Sequence, residues 1–66
     1  MDLKDKIKIL REEKQLTQAQ LGLGSGVNYS TVSYWESGRQ EPNSLQRKQL
    51  CKFLGITQSE LFKDVE

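Results

Sequence analysis

Apolar positions along this chain fall at helical spacings and nowhere alternate in the manner of a strand. Leu3, Ile7 and Leu10 step by four and then three, the signature of one buried helix face. They predict a first helix from about Leu3 to Lys14, capped by Asp2 or a neighbour. Arg11 lies one turn beyond Ile7 and borders that face, while Ile9 points away from it. Acidic and basic residues alternate around the remaining surface, as on a solvated helix. Gln15 ends the helix and Leu16 anchors the turn that follows.

Thr17 opens a second helix over about Gln18 to Gly24, and Gln20, three residues on, completes a capping box. Leu21 is its clearest core position. Gly22 and Gly24 each weaken it by up to roughly 1 kcal/mol relative to alanine, so packing rather than propensity must hold it. Gly22 is also expected to permit close helix-helix approach. Gly26 supplies a turn with positive φ. Asn28 is expected to cap a third helix, Tyr29 to Ser37, through its side-chain oxygen. Val32 and Trp35 face inward, with Val27 in the turn beneath them. Tyr29, Ser30, Ser33 and Tyr34 face the other way. Gly38 stops this helix, and Arg39 to Asn43 form a polar loop directed by Pro42.

Asn43 or Ser44 caps a fourth helix to about Leu54. Its core stripe is Leu50, Cys51 and Leu54, with Leu45 near the start and Phe53 at the border. Gly55 is a C-cap, and Thr57 with Glu60 makes another capping box. A short fifth helix then offers Leu61 and Phe62 to close the core. The fold expected is all-α, a compact four- to five-helix bundle forming a single domain over residues 1–66. Two capped helices joined at a glycine, over about residues 17–37, outline a helix-turn-helix. The second helix of that motif is often laid into the DNA major groove.

Composition adjusts this picture only in places. Apolar residues make up 35% and charged residues 29% of the 66 residues, as in a soluble globular chain. A core this small is marginal unless tightly packed, stapled or joined to a partner subunit. Cys51 is the only cysteine, so no disulfide forms within the chain, and it is expected to behave as a small buried apolar residue. No apolar run is long enough to span a membrane and no secretory signal pattern appears, so a cytoplasmic location is expected. The net charge of +1 is a small excess for a nucleic-acid binder. Its distribution says more, since no charged residue occurs from Gln15 to Trp35.

With no histidine, metal-ligand cluster or phosphate-cradling glycine loop, an enzyme is a poor reading, and neither a metal nor a cofactor is expected. The spacing of Gly22, Gly24 and Gly26 suggests no nucleotide site, because no strand precedes it.

The residues carry a family resemblance. Leu16-Thr17-Gln18-x-x-Leu21, Gly26-Val27, Ser30-Thr31-Val32-Ser33-x-Trp35-Glu36-x-Gly38-x-x-Glu41-Pro42 and Leu54-Gly55-Ile56 with Leu61 resemble the phage repressor and Cro type helix-turn-helix family, over about Ile7 to Phe62. The resemblance implies a lambda-repressor-like bundle that binds double-stranded operator DNA, usually as a homodimer on a palindromic site, and regulates transcription. By position it implies that Tyr29, Ser30, Ser33 and Tyr34 read bases from a recognition helix over about 28–37. Gln18, Asn28, Thr31, Ser37, Arg39, Gln40 and Asn43 would hold the DNA backbone. Arg11 and Glu36 would form a structural ion pair between the first and third helices. Two positions depart from the family pattern: Gly22 stands where alanine is usual, and Leu23 where a polar residue is usual. The reading face also lacks the arginine and paired amides that discriminate bases most strongly, at about 1–3 kcal/mol per contact.

A second class of function is a protein-interaction module, or an antitoxin-like partner protein, that uses the same fold with little DNA binding of its own. The uncharged third helix and near-neutral net charge favour it. Salt-dependent binding to genomic DNA separates the two.

Overall fold

A computed structural model describes residues 1–66 as five helices joined by short turns, with no strand. They are α1 (Leu3–Glu13), α2 (Gln18–Ser25), α3 (Tyr29–Ser37), α4 (Ser44–Leu54) and α5 (Gln58–Phe62). α2 packs against α3 and α4, α1 packs against α3 and α5, and α4 meets α5.

Three of the five helices begin with a reciprocal capping box. Thr17 Oγ1 accepts from the Gln20 amide at 3.0 Å while the Thr17 amide donates to Gln20 Oε1 at 2.8 Å. Asn43 with Gln46, and Thr57 with Glu60, repeat the arrangement at α4 and α5. Each box satisfies two amides that a helix start otherwise leaves orphaned.

α3 is different, and here the expectation for Asn28 is corrected. Asn28 occupies the N-cap position with extended backbone, but its side chain accepts no capping bond. The amides of Thr31 and Val32 donate instead to the Asn28 main-chain carbonyl, at 3.0 and 3.3 Å. The donor that the Asn28 side chain was expected to satisfy is thus already engaged. Asp2 likewise sits at the N-cap of α1 without a side-chain cap bond.

Ile7, Leu21, Val32, Trp35, Leu50, Cys51, Leu54 and Leu61 form one buried cluster drawing on all five helices. Leu3, Leu10, Leu16, Val27 and Ile56 surround it, partly buried. Two expected core residues lie outside. Leu45 is 63% exposed and Phe62 40% exposed. At about 100° per residue, Leu45 falls on the opposite side of α4 from Leu54. In five-residue α5, Leu61 takes the inward position, and its neighbour Phe62 is turned about 100° away.

The turn between α2 and α3 is unusually close. A Cβ at Gly22 would lie 2.8 Å from the Val27 carbonyl oxygen and 3.2 Å from the Asn28 carbonyl. Glycine therefore lets the chain entering α3 rest directly on α2. Gly26 reverses the chain with φ of 77°, and its amide donates to Leu23 while the Val27 amide donates to Gly22. Gly24 accommodates the ring of Phe53 from α4, which a Cβ there would overlap.

Candidate nucleic-acid interface

α3 has two dissimilar sides. Val32 and Trp35 are 0% and 1% exposed and fix the helix to the core. Tyr29, Ser30, Ser33 and Tyr34 lie around the other side. Tyr29 is 65% exposed, Ser30 and Ser33 are partly buried, and Tyr34 is 36% exposed. None of these four side chains makes a hydrogen bond within the protein. The row therefore offers two phenols and two hydroxyls without a formal charge, each able to donate and accept.

The edges of this row are formed by other elements. On the α1 side, Lys8, Arg11, Gln18, Ser33, Glu36 and Ser37 line a notch without a hydrophobic wall. At its base, Arg11 Nε and Nη2 donate to the two Glu36 carboxylate oxygens at 2.7 and 3.0 Å. Arg11 Nη1 also donates to the Leu16 carbonyl at 2.8 Å, tying α1, the turn before α2, and α3 together. The side chains are only 13% and 5% exposed. The hydrogen bond to Glu36 raises the Arg11 pKa against the opposing effect of burial, so the guanidinium stays charged.

Gln18 joins this pair: its Nε2 donates to Glu36 Oε1 at 3.3 Å. The amide is therefore oriented by α3 although it stands at the start of α2. Its second N–H and its oxygen have no partner within the protein. On the opposite side of α3, Asn28 is exposed and Thr31 partly buried, next to Leu23 and Gly22. Past the end of α3, Ser37 Oγ donates to the Tyr34 carbonyl at 3.2 Å, and Arg39 and Gln40 are exposed. Asn43 lies farther along, its side-chain oxygen engaged by the amide of Gln46 at 2.8 Å.

Tyr29, Ser30, Ser33, Tyr34, Gln18, Asn28, Thr31, Ser37, Arg39 and Gln40 thus sit on or beside α3, whereas Asn43 serves chiefly as the cap of α4. Sequence reasoning missed Lys8 and the Gln18–Glu36 bond. Lys8 stands three residues before Arg11 on α1, so an i, i+3 reading of that helix would have placed them side by side. The polar Gln18–Glu36 contact crosses 18 residues and leaves no periodic trace.

The largest concavity lies elsewhere. It is about 900 Å³ and is lined by Lys4, Trp35, Pro42, Arg47 and Phe62 among others. The α3 surface is a projecting, half-polar helix face with short polar side chains. Its shape suits a groove wider than itself rather than an enclosed small molecule. Among the five helices none is long and apolar enough to cross a membrane, and no cluster of three or more potential acidic, cysteine or histidine metal ligands occurs.

A five-helix bundle presenting the second helix of a helix-turn-helix at its surface defines the lambda-repressor-like class. Residues 7–61 match the Helix-turn-helix family, and the chain belongs to it. It is similar to the HTH-type transcriptional activator BcrR of Enterococcus faecalis, 38% identical over 66 residues, covering 100% of this chain and 32% of BcrR. The restriction-modification controller protein C.AhdI of Aeromonas hydrophila superposes with a TM-score of 0.87 at 30% identity, over 91% of each chain. The DNA-binding domain of the P22 c2 repressor superposes with the same TM-score at 28% identity, over 100% of this chain and 88% of that one. The chain spans 32% to 58% of the length of the curated relatives it matches.

Proposed function

We propose that this chain is a sequence-specific DNA-binding module of a transcriptional regulator, with α3 as its recognition helix in the major groove. The observation carrying this reading is the outward row Tyr29, Ser30, Ser33 and Tyr34, uncharged and unbonded on a helix whose inner side is fixed by Trp35. Hydroxyls and rings at that row meet base edges and thymine methyl groups, and the edges of α3 meet phosphates. Gln18, Asn28, Thr31, Ser37, Arg39 and Gln40 hold the sugar-phosphate backbone, with Asn43 at the far margin. The Arg11–Glu36 pair acts beneath Gln18, fixing the angle between α1 and α3. The BcrR and C.AhdI names support a role in regulation, and the P22 c2 domain supports DNA as the target.

The assembly we propose is a homodimer on a palindromic operator in the cytoplasm. Its half-sites would lie about one helical turn apart, roughly 34–36 Å. Selection of bound duplexes from a random pool tests the reading. An enriched palindrome, bound less tightly as salt rises, supports it. Absence of enrichment, together with no binding at about 50 mM salt, removes it.

One observation favours a second reading, a module that docks another protein. Leu23 projects from α2 with 85% of its surface exposed, next to the half-exposed ring of Phe53. Under that reading a Leu23→Ser variant loses the protein partner and keeps any DNA affinity unchanged.

A further inference from the structure

The charge-free stretch from Gln15 to Trp35 leaves α3 without a cation of its own. The structure supplies one from the loop behind it. The Arg39 guanidinium carbon lies over the ring of Tyr34, 5.6 Å from its centroid. The same two residues are joined through the backbone. The amides of Arg39 and Gln40 both donate to the Tyr34 carbonyl, at 3.0 and 3.3 Å, and Ser37 Oγ donates to that oxygen as well. Gly38, at φ of 81°, makes the reversal that brings residue 39 back toward residue 34. Arg39 forms no ion pair and its side chain makes no hydrogen bond, although Glu41 is two residues away. Its charge is thus available to an outside ligand.

We propose that Tyr34 and Arg39 act as one recognition unit, a guanidinium held against a phenol ring at the C-terminal edge of α3. This rests on the DNA-binding reading above and names a pair that adds positive charge at the C-terminal edge of that surface, opposite Lys8 on the α1 side. A guanidinium is planar and carries its five N–H donors in that plane. The Arg39 side chain makes no hydrogen bond or ion pair within the protein, so its donors stay open while the ring holds the cation. Those donors fit a ligand presenting two adjacent acceptors, which on DNA means either two phosphate oxygens or the O6 and N7 of guanine. The ring limits the conformations available to a side chain that is otherwise among the most flexible, so less freedom is lost when the acceptors arrive. Lysine at this position keeps the charge and loses the planar fork.

Two measurements test the pair. In the free protein, the ring current of Tyr34 shifts the side-chain proton resonances of Arg39 upfield, and Tyr34→Leu abolishes the shift. Unshifted Arg39 resonances in the wild type overturn the proposal. On a duplex recovered by selection, affinities of the wild type, Tyr34→Leu, Arg39→Ala and the double variant form a cycle. The expected result is coupling: Tyr34→Leu costs about two- to fivefold more when Arg39 is present than when it is alanine, the range for an exposed cation–ring contact. Losses that simply multiply overturn the unit while leaving the DNA-binding reading intact. A wild type that binds no duplex sinks both. Arg39→Lys then identifies the source of the acceptors. Equal weakening on every duplex marks a phosphate, while relaxed preference at a single base pair marks guanine.

Discussion

Along one side of α3, Val32 and Trp35 are sealed into the core and Glu36 receives three donors from α1 and α2. Along the other, the side chains of Tyr29, Ser30, Ser33 and Tyr34 make no hydrogen bond within the protein, and Tyr29 is mostly in solvent. The inner side sets where the helix lies and at what angle. The outer side contributes little to that placement, so its residues are free to serve a ligand. Inner and outer substitutions should therefore fall into separate classes, one changing stability and the other changing binding at constant stability.

The hardest blow to the inner side is Trp35→Ala. Removing a buried aromatic costs about 3–5 kcal/mol. Small domains have roughly 5–15 kcal/mol in total, and one this size belongs near the lower end. Urea denaturation should show most of the stability gone. A midpoint close to that of the wild type would mean that Trp35 is not what positions α3.

Arg11→Met should cost almost as much, about 3–5 kcal/mol, because it strands the Glu36 carboxylate at 5% exposure. Adding Glu36→Leu removes the stranded charge and should restore most of the loss. A double variant no more stable than Arg11→Met would show that the pair does more than fix packing. This comparison also isolates Gln18, which loses its α3 partner in the double variant while the fold recovers.

The two glycines of α2 sharpen the comparison on a second helix. Gly22 meets main-chain atoms of Val27 and Asn28, which cannot swing aside, so Gly22→Ala should destabilise by about 1–3 kcal/mol. Gly24 meets only the ring of Phe53, a side chain 42% exposed and able to move. Alanine there also gains up to roughly 1 kcal/mol of helix propensity. Gly24→Ala should therefore be neutral or mildly stabilising in thermal melts. Equal losses from both substitutions would show that the Phe53 ring is as immovable as the backbone.

Cys51 gives the core a pH dependence. Burial raises its thiol pKa, with Glu60 adding to the rise and Arg47 opposing it. The folded state thus keeps a proton that the unfolded chain loses above about pH 8.5. Its contribution is complete below that pH and declines as pH rises toward the folded value. Subtracting the stability curve of Cys51→Ala from that of the wild type isolates this decline. A flat difference from pH 7 to 10 would contradict it.

Much of this division is legible in the residues themselves. Thr17 with Gln20 and Thr57 with Glu60 declare helix starts through short-range chemistry, and the structure forms both boxes. Val32 and Trp35 are separated by one turn and both are buried. Legibility fails where the determinant is a neighbour distant in sequence or a detail of the turn. Asn28 has the right side chain for a cap, yet its own carbonyl satisfies the amide involved. Leu45 is apolar and helical, but its angle around α4 faces water. Gly24 registers as a weakness in α2 until Phe53 is seen against it. The placement of Arg39 over the Tyr34 ring depends on the turn at Gly38, so composition alone places Arg39 only in a polar loop.

The smallest effect on folding is expected at Tyr29, and it bears most directly on the outer side. Tyr29 is the first residue of α3, 65% exposed, and its side chain makes no hydrogen bond within the protein. Replacing it with alanine removes no core contact, and surface substitutions of this kind usually change stability by no more than about 0.5 kcal/mol. If the ring and hydroxyl meet a base pair, that variant loses about 1 kcal/mol, roughly fivefold, in affinity for the preferred duplex, the low end for a base contact. The two numbers must be measured on the same preparation, by denaturation and by titration with duplex. Stability held and affinity lost is the pattern that separates the two sides of α3. Stability lost together with affinity would place Tyr29 in the scaffold, and affinity unchanged would move base reading to Ser30, Ser33 and Tyr34.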